Sequence, residues 1–356
     1  MTSAAEISGV QSATLAPWLA SRLPEAAPPF EYRLIAGGHS NLTFAVSDSN
    51  GRSWVLRRPP LGVTRSGAHN MAREYRIQAA LAGSDVPVPR MIALCEDESV
   101  NGAPFYVMNL VDGVVVDRPS RVIQYLPDAA ARKTAADSLV DALVAMHGVD
   151  LAVVGLADLG RSGDYVERQL RRMRKVWEET KTRELPLIES VHERLAKKVP
   201  PETRTSLLHC DYRFGNVMLD TSTHQVAAVL DWELATTGDA RVDIAFLLCN
   251  WDLPEDPSPG VWMEEAPTRA GVFPGRDEIM ARYASRSGMS DIAAGEFDYF
   301  CALAYWRIAI IAEGIKRRYQ SGAMSAAGDI DAIERRIHAR AKRAAFHMAR
   351  AERSRS

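Results

Sequence analysis

A chain of 356 residues, 47% hydrophobic and 25% charged, is composed like a folded globular protein with room for two domains, which excludes a mostly disordered chain. Its 43 Lys and Arg against 45 Asp and Glu leave a net charge of −2, a balance that argues against a general nucleic-acid coat. The four cysteines, Cys95, Cys210, Cys249 and Cys301, form no CxxC pair; this excludes a zinc ribbon or a thioredoxin-type motif and suits a reducing compartment. No apolar run reaches the ~18 residues of a spanning helix. The start, MTSAAEISGV, lacks the basic-then-apolar order of a signal peptide. The expectation is a soluble cytoplasmic protein with neither membrane nor nucleic acid as a partner.

Residues 1–10 read as a loose start. Leu15, Trp18, Leu19 and Leu23 recur at helical spacing and predict a short amphipathic helix, ended by Pro24, Pro28 and Pro29. From Tyr32 the pattern shortens to strands. Phe44 and Val46 alternate with polar neighbours, as do Trp54 and Leu56, and Asp48-Ser49-Asn50-Gly51 between them predicts a tight hairpin turn. A helix is expected over 69–81, stopped before Pro87 and Pro89, and a strand over 104–112. Beyond Gly113 the chain reads as mainly helical, with helices over 129–147, 164–180, 297–319 and 330–351 and two short strands at 217–219 and 226–230. The expected organisation is an N-terminal segment (1–30), a sheet-rich part (31–113) and a larger helical part (114–356), with a ligand cleft where the two large parts meet.

The segment richest in chemistry is LLHCDYRFGNVML, 207–219, a polar loop flanked by apolar runs. A second apolar strand ends in Asp231-Trp232-Glu233, and 221–224 reads as the turn between the strands. Asn216 and Asp231 are equidistant from that turn. In an antiparallel hairpin they would face each other, with Cβ atoms ~5 Å apart. An amide oxygen and a carboxylate so placed are hard ligands of the kind that suit Mg²⁺. Asp211, five residues before Asn216, is placed to accept a proton from a substrate hydroxyl. Taken singly, Asp211 and Asn216 read equally as turn residues and Asp231 as a helix cap; it is their combination that points to function.

Upstream, the turn Gly37-Gly38-His39-Ser40-Asn41 enters a strand, and glycines there would let backbone N–H groups approach phosphate oxygens, although the same residues make a good plain turn. Arg57, at the end of the strand WVLRR, reads either as a phosphate-holding cation or as a solvated strand-end charge. Glu74 falls between Met71, Ile77 and Leu81 on the apolar stripe of its helix. A carboxylate there needs a partner, and Arg57 is the natural one unless Glu74 reaches water at the edge of the stripe.

His209-x-Asp211-x-x-x-x-Asn216 followed by Asp231 resembles the catalytic loop and metal-binding Asp of the protein-kinase-like superfamily. LLHCDYRFGNVMLD and AAVLDWELATTGDARVDIAFLL resemble the branch of aminoglycoside phosphotransferases and choline kinases. VLRRPP, AREYRIQAAL, DVPVPR and NGAPFYVMNLVDG resemble the kinase-like domains related to those fused to certain acyl-CoA dehydrogenases. The resemblance covers roughly residues 31–320. It implies an α+β, bilobal protein-kinase-like fold: a small N-terminal antiparallel β lobe with one key helix, and a larger, mainly helical C-terminal lobe. It implies ATP and Mg²⁺ as cofactors and Asp211 as the catalytic base. Asn216 and Asp231 would be the Mg²⁺ ligands. Gly37, Gly38, Ser40 and Asn41 would cover the phosphates, and Glu74 would pair with the strand cation. Backbone groups of Asn109, Leu110 and Val111 would meet the adenine. His209, Asp239 and Asp243 would brace the loop. The chain departs from this pattern in carrying Arg57 where many kinases have Lys, which is not a neutral exchange, Asp231-Trp232-Glu233 in place of Asp-Phe-Gly, and Cys210 where many relatives have Gly.

The implied activity is transfer of the γ-phosphate of ATP to a hydroxyl of a small molecule. Basic residues at Arg168, Arg171, Arg172, Arg307, Lys316, Arg317 and Arg318, where they face the acceptor, favour an anionic one such as a hydroxyacyl-CoA over a polycationic antibiotic. The acidic run Asp252, Glu255, Asp256, Glu264 and Glu265 favours the reverse. The alternatives are an aminoglycoside-type antibiotic kinase, a nucleotide-binding pseudokinase (for which Arg57 is the motive) and metal-dependent hydrolysis by Asp211, Asp231 and His209. The basic C-terminal helix reads as a solvated or packing helix.

Overall fold

The computed structural model describes residues 7–23, 25–36, 41–62, 70–160, 163–254, 256, 266–289, 294–322 and 329–354. The chain divides into two compact units, Met1–Asp112 with Ala227–Leu234, and Gly113–Val226 with Ala235–Ser356.

The first unit is built on α1 (Ser12–Arg22), β1 (Glu31–Ala36), β2 (Leu42–Ser47), β3 (Ser53–Arg58), α2 (Met71–Ala80), β4 (Met91–Cys95), α3 (Glu98–Asn101) and β5 (Phe105–Asn109). The strands form one antiparallel sheet in the order β1-β2-β3-β5-β4. Its two faces follow from the period-2 alternation of a strand. Phe44, Val46, Leu56, Phe105 and Val107 pack with Leu15 and Leu19 of α1, whereas Val55, Tyr106 and Met108 pack with Met71 of α2. Arg57, two residues after Val55, therefore shares the α2 face. The Asn70 side chain caps α2 by accepting from the Arg73 N–H, which fixes the helix start next to the expected one. The expected β2–β3 hairpin is present, its turn held by Asp48, whose carboxylate accepts from the backbone N–H groups of Asn50 and Arg52. The sequence reading does not predict β4: in MIALC the first four residues are all half-buried, so no alternation marks it.

The second unit contains α4 (Pro119–Tyr125), α5 (Ala129–Gly148), α6 (Tyr165–Thr180), α7 (Pro186–Lys197), β6 (Thr205–Leu208) and β7 (Val217–Leu219). Next in the chain come β8 (Val226–Val229), most of which belongs to the first unit, then β9 (Thr236–Asp239), α8 (Arg241–Cys249), α9 (Arg276–Ser287), α10 (Ala294–Gln320) and α11 (Ile330–Arg353). The apolar middle of α10 from Tyr299 to Ala312 is the spine of the core, onto which α6, α7, α8 and α11 bring Leu170, Trp177, Val191, Phe246 and Ile337. The four long helices expected in this part are α5, α6, α10 and α11; α4, α7, α8 and α9 are additions, as is the β6–β9 pair, Leu208 opposite Thr236. The α+β class expected from the sequence is the one observed. Among the described residues no helix is long and apolar enough to cross a membrane.

Candidate active site

In the first unit, the alternation of β3 aims Arg57 at α2. Its Nε lies 3.2 Å from Glu74 Oε2, and its Nη2 donates to Asp231 Oδ1. Glu74 is 2% exposed and receives two further bonds, from Asn41 Nδ2 at 2.9 Å and from the Tyr106 hydroxyl at 3.1 Å. Asn41 also donates to Glu233 Oε2 at 3.3 Å. One guanidinium thus joins two carboxylates that are far apart in sequence. Burial pushes the Glu74 carboxyl above its ordinary range despite the nearby Arg57 charge. Burial pulls Arg57 the other way, but Tyr106, Glu74, Asp231 and Glu233 together hold its pKa above the ordinary value. Asp231 sits at a φ of +64°, a left-handed conformation that Asp adopts more readily than most residues.

In the second unit, the loop after β6 is braced from below. Asp243, on α8 and fully buried, accepts from the His209 N–H at 2.6 Å and the Cys210 N–H at 2.9 Å. His147 Nε2 approaches the same carboxylate at 3.5 Å, and its Nδ1 lies 2.8 Å from the Tyr283 hydroxyl. Burial acts to raise the Asp243 pKa, but His147, His209 and these hydrogen bonds hold it below the usual carboxylate range. The bracing lets Cys210 hold a φ of +68°, where glycine is more at ease. Asp211 follows, partly exposed; its backbone N–H donates to His209 Nδ1 at 3.3 Å. Asn216 Nδ2 donates to Asp211 Oδ2 at 2.6 Å and to the Asp211 carbonyl at 2.8 Å. With its NH₂ group turned to Asp211, the Asn216 amide presents its oxygen to the other side.

The sequence-predicted residues therefore fall into two sets. Asn41, Arg57, Glu74 and Asp231 are brought together in the first unit, and Asp211 and Asn216 in the second. Gly37, Gly38 and Ser40 lie outside the described residues. The Asn41 side chain is spent on Glu74 and Glu233 and does not form part of a turn over phosphates. Asn109 closes β5, its N–H donating to the Arg90 carbonyl at 2.9 Å; Leu110 and Val111 follow the last ladder pair. The acidic run is not an open cation site at its described members. Asp256 pairs with Arg276 at 2.5 Å, and Asp252 with Arg276 and Arg343 at 3.5 and 3.3 Å. Glu255, Glu264 and Glu265 lie outside the described residues.

The sequence reading passes over three participants. Arg213 places Nε 3.4 Å from Asp211 Oδ1, and its guanidinium lies over Gly215, where a Cβ would meet Nη1 at 2.3 Å. A cation two residues beyond a candidate base was the available signal. His147 and Tyr283 carried none, since a lone His or Tyr on a helix gives no hint of a buried carboxylate far along the chain.

The phosphotransferase enzyme family matches residues 31–278. Acyl-CoA dehydrogenase family member 10 of Mus musculus is 32% identical over 84% of this chain and 27% of its own length; the chain spans about a third of the curated relatives it matches. The crystal structure of a candidate aminoglycoside phosphotransferase from Ralstonia eutropha JMP134 is 32% identical, with a TM-score of 0.78 over 97% of this chain and 99% of that one. Aminoglycoside phosphotransferase APH(4)-Ia, in ternary complex with AMP-PNP and hygromycin B, shares the fold at 13% identity, with a TM-score of 0.59 over 92% of this chain and 97% of that one.

Proposed function

Since this chain belongs to the phosphotransferase enzyme family, we propose that it transfers the γ-phosphoryl group of ATP, held with Mg²⁺, to a hydroxyl of a small metabolite. The observation that carries the proposal is the Asp211–Asn216 pair on a loop whose backbone is fixed by the buried Asp243. Phosphoryl transfer asks a protein mainly for positioning and charge neutralisation. In this reading Asp211 is the catalytic base. The substrate oxygen attacks phosphorus, its proton passes to the Asp211 carboxylate, and the bond from the γ-phosphorus to the bridging oxygen breaks to release ADP. Arg213, beside that carboxylate, offsets the charge on the transferring group.

Asn216 and Asp231 are the proposed Mg²⁺ ligands. Their donors, an amide oxygen and a carboxylate, are hard oxygens that fit that ion, and the bound ion would neutralise charge on the phosphates. Arg57, oriented by Glu74, holds phosphate oxygens, and Asn41 keeps Glu74 in place. Gly37, Gly38 and Ser40 cover the phosphates through their backbone. Adenine is met by backbone groups of Leu110 and Val111 together with the Asn109 carbonyl, since the Asn109 N–H is taken.

The acyl-CoA dehydrogenase relatives support a hydroxyacyl-CoA as the acceptor class. The Arg57–Asp231 pair favours a second reading, a protein that binds nucleotide without transferring phosphate, because Arg57 engages the carboxylate assigned to the metal. Mass spectrometry of mixtures with Mg·ATP and a panel of hydroxy acids, hydroxyacyl-CoAs and amino alcohols separates the two. The first predicts a phosphorylated acceptor, with turnover lowered by about 10³-fold in Asp211→Asn while ATP binding is retained. ATP binding with no product from any alcohol supports the second.

A further inference from the structure

The structure assigns to Arg307 the recognition of an anionic group on the acceptor, an inference that rests on the phosphotransfer reading and names the substrate class for the same site. Arg307 interrupts the apolar spine of α10, between Trp306 and Ile308, both of which are fully buried. A guanidinium inside a core is costly unless an anion balances it. Other buried or half-buried cations of this unit have one: Lys316 has Glu334 at 2.8 Å, Arg241 has Asp239 at 2.6 Å, and Arg276 has Asp256 at 2.5 Å. Among the described residues Arg307 forms no ion pair, and its buried Nε has no hydrogen-bond partner.

Its surroundings locate it at the catalytic loop. The Tyr165 hydroxyl lies within hydrogen-bond reach of the guanidinium, and the Cys210 thiol and the Asp243 carboxylate are the next groups to act on it. The Tyr165 hydroxyl is 3.3 Å from Cys210 Sγ, and Cys210 adjoins Asp211. Asp243 is already committed to two backbone N–H groups and His147, while burial keeps the Tyr165 phenol and the Cys210 thiol protonated and neutral. Arg307 is thus a positive charge set one side chain behind the residue preceding the proposed base, with neutral groups about it and its own counter-charge missing. An acceptor whose carboxylate or phosphate oxygens reach the guanidinium supplies that charge; a polycationic antibiotic is repelled there.

The test compares the full-length protein with Arg307→Gln and Arg307→Lys against short hydroxy acids, their uncharged hydroxyamides and hydroxyacyl-CoAs. Calorimetry in the presence of Mg·AMP-PNP reports acceptor binding, and product mass spectrometry reports transfer. The wild type is expected to bind and phosphorylate anionic acceptors about 30-fold better than the amides. Arg307→Gln erases that preference through KM, with kcat and amide use within about threefold of wild type, and Arg307→Lys restores part of it. Response to hydroxyacyl-CoAs alone assigns the anion to phosphate; response to the hydroxy acids assigns it to carboxylate. Equal loss for both series in Arg307→Gln, an undiminished preference, or no binding of any anionic acceptor overturns the inference. Preferential binding of anions that depends on Arg307 but is followed by no transfer upholds it while ending the phosphotransfer reading; transfer to amides and acids alike does the converse.

Discussion

Arg213 and Gly215 show how one missing Cβ can set the charge beside a reacting carboxylate. The Arg213 guanidinium lies over the Gly215 backbone, 2.3 Å from where a side chain would begin, and the same guanidinium group reaches Asp211. The atom in the way is the far end of a flexible side chain, so Gly215→Ala should displace Arg213 without unfolding the loop. We expect turnover to fall about tenfold, the scale of a weakened charge-assisted bond, with the melting temperature within about 2 °C of wild type; a large fall in melting temperature would instead give Gly215 a purely structural role. At this scale the sequence was legible where an anomaly announced itself. Glu74 stood out because a carboxylate on an apolar stripe demands a partner, and Arg57 is there at 3.2 Å. The additional grip of Arg57 on Asp231 was not legible, because those residues lie 174 positions apart and nothing local to either names the other.

Elements with a sustained period were readable in advance, and short or mixed ones were not. α5, α6, α10 and α11 repeat apolar residues over four turns or more. β9, with the sequence TTGD, has nothing apolar to alternate, and its existence depends on pairing with β6. α7 did carry a signal, since Ile188, Val191 and Leu195 mark one buried face. The junction at the start of the second unit depends on close backbone approach. Val114 and Leu219 exchange two hydrogen bonds of 2.8 Å, and a Cβ on Gly113 would fall 2.6 Å from the Leu219 carbonyl oxygen. Backbone cannot swing aside as a side chain can. Gly113→Ala should therefore cost about 1–3 kcal/mol in urea unfolding, and β7, which leads out of the catalytic loop, should lose amide-exchange protection. Unchanged stability would show that the two segments can separate freely.

Over the whole molecule, acid stability follows from which carboxyls the fold moves and in which direction. Hydrogen bonds from Ser222 and Thr223 hold Asp220 well below its ordinary value. Asp243 and Asp256 are also lowered, in each case against the upward push of burial. A carboxyl lowered on folding contributes stability that is complete above its unfolded pKa, ~3.9 for Asp, and is lost as pH falls through the folded value. Glu74 and Asp252 are raised by burial and have the opposite sign, favouring the folded state as pH drops toward 4. Stability measured by urea unfolding should therefore vary little between pH 7 and about pH 5 and fall steeply below about pH 4. Asp243→Asn, which removes one lowered carboxyl, should flatten that acid limb; a steeper limb in the variant would contradict the assignment. Net charge and composition gave no access to this behaviour, since a carboxylate's partners exist only after folding.

The four cysteines of the chain are all 5% exposed or less, and burial raises the thiols of Cys95 and Cys210, the latter to about 12. A maleimide, which needs an accessible thiolate, should leave the native protein unmarked. A cysteine introduced at Leu61 or Val153, 52% and 82% exposed, would then be the sole attachment point for a dye, so fluorescence reporters of ligand-driven motion can be installed without first stripping the natural sulfur from the interior.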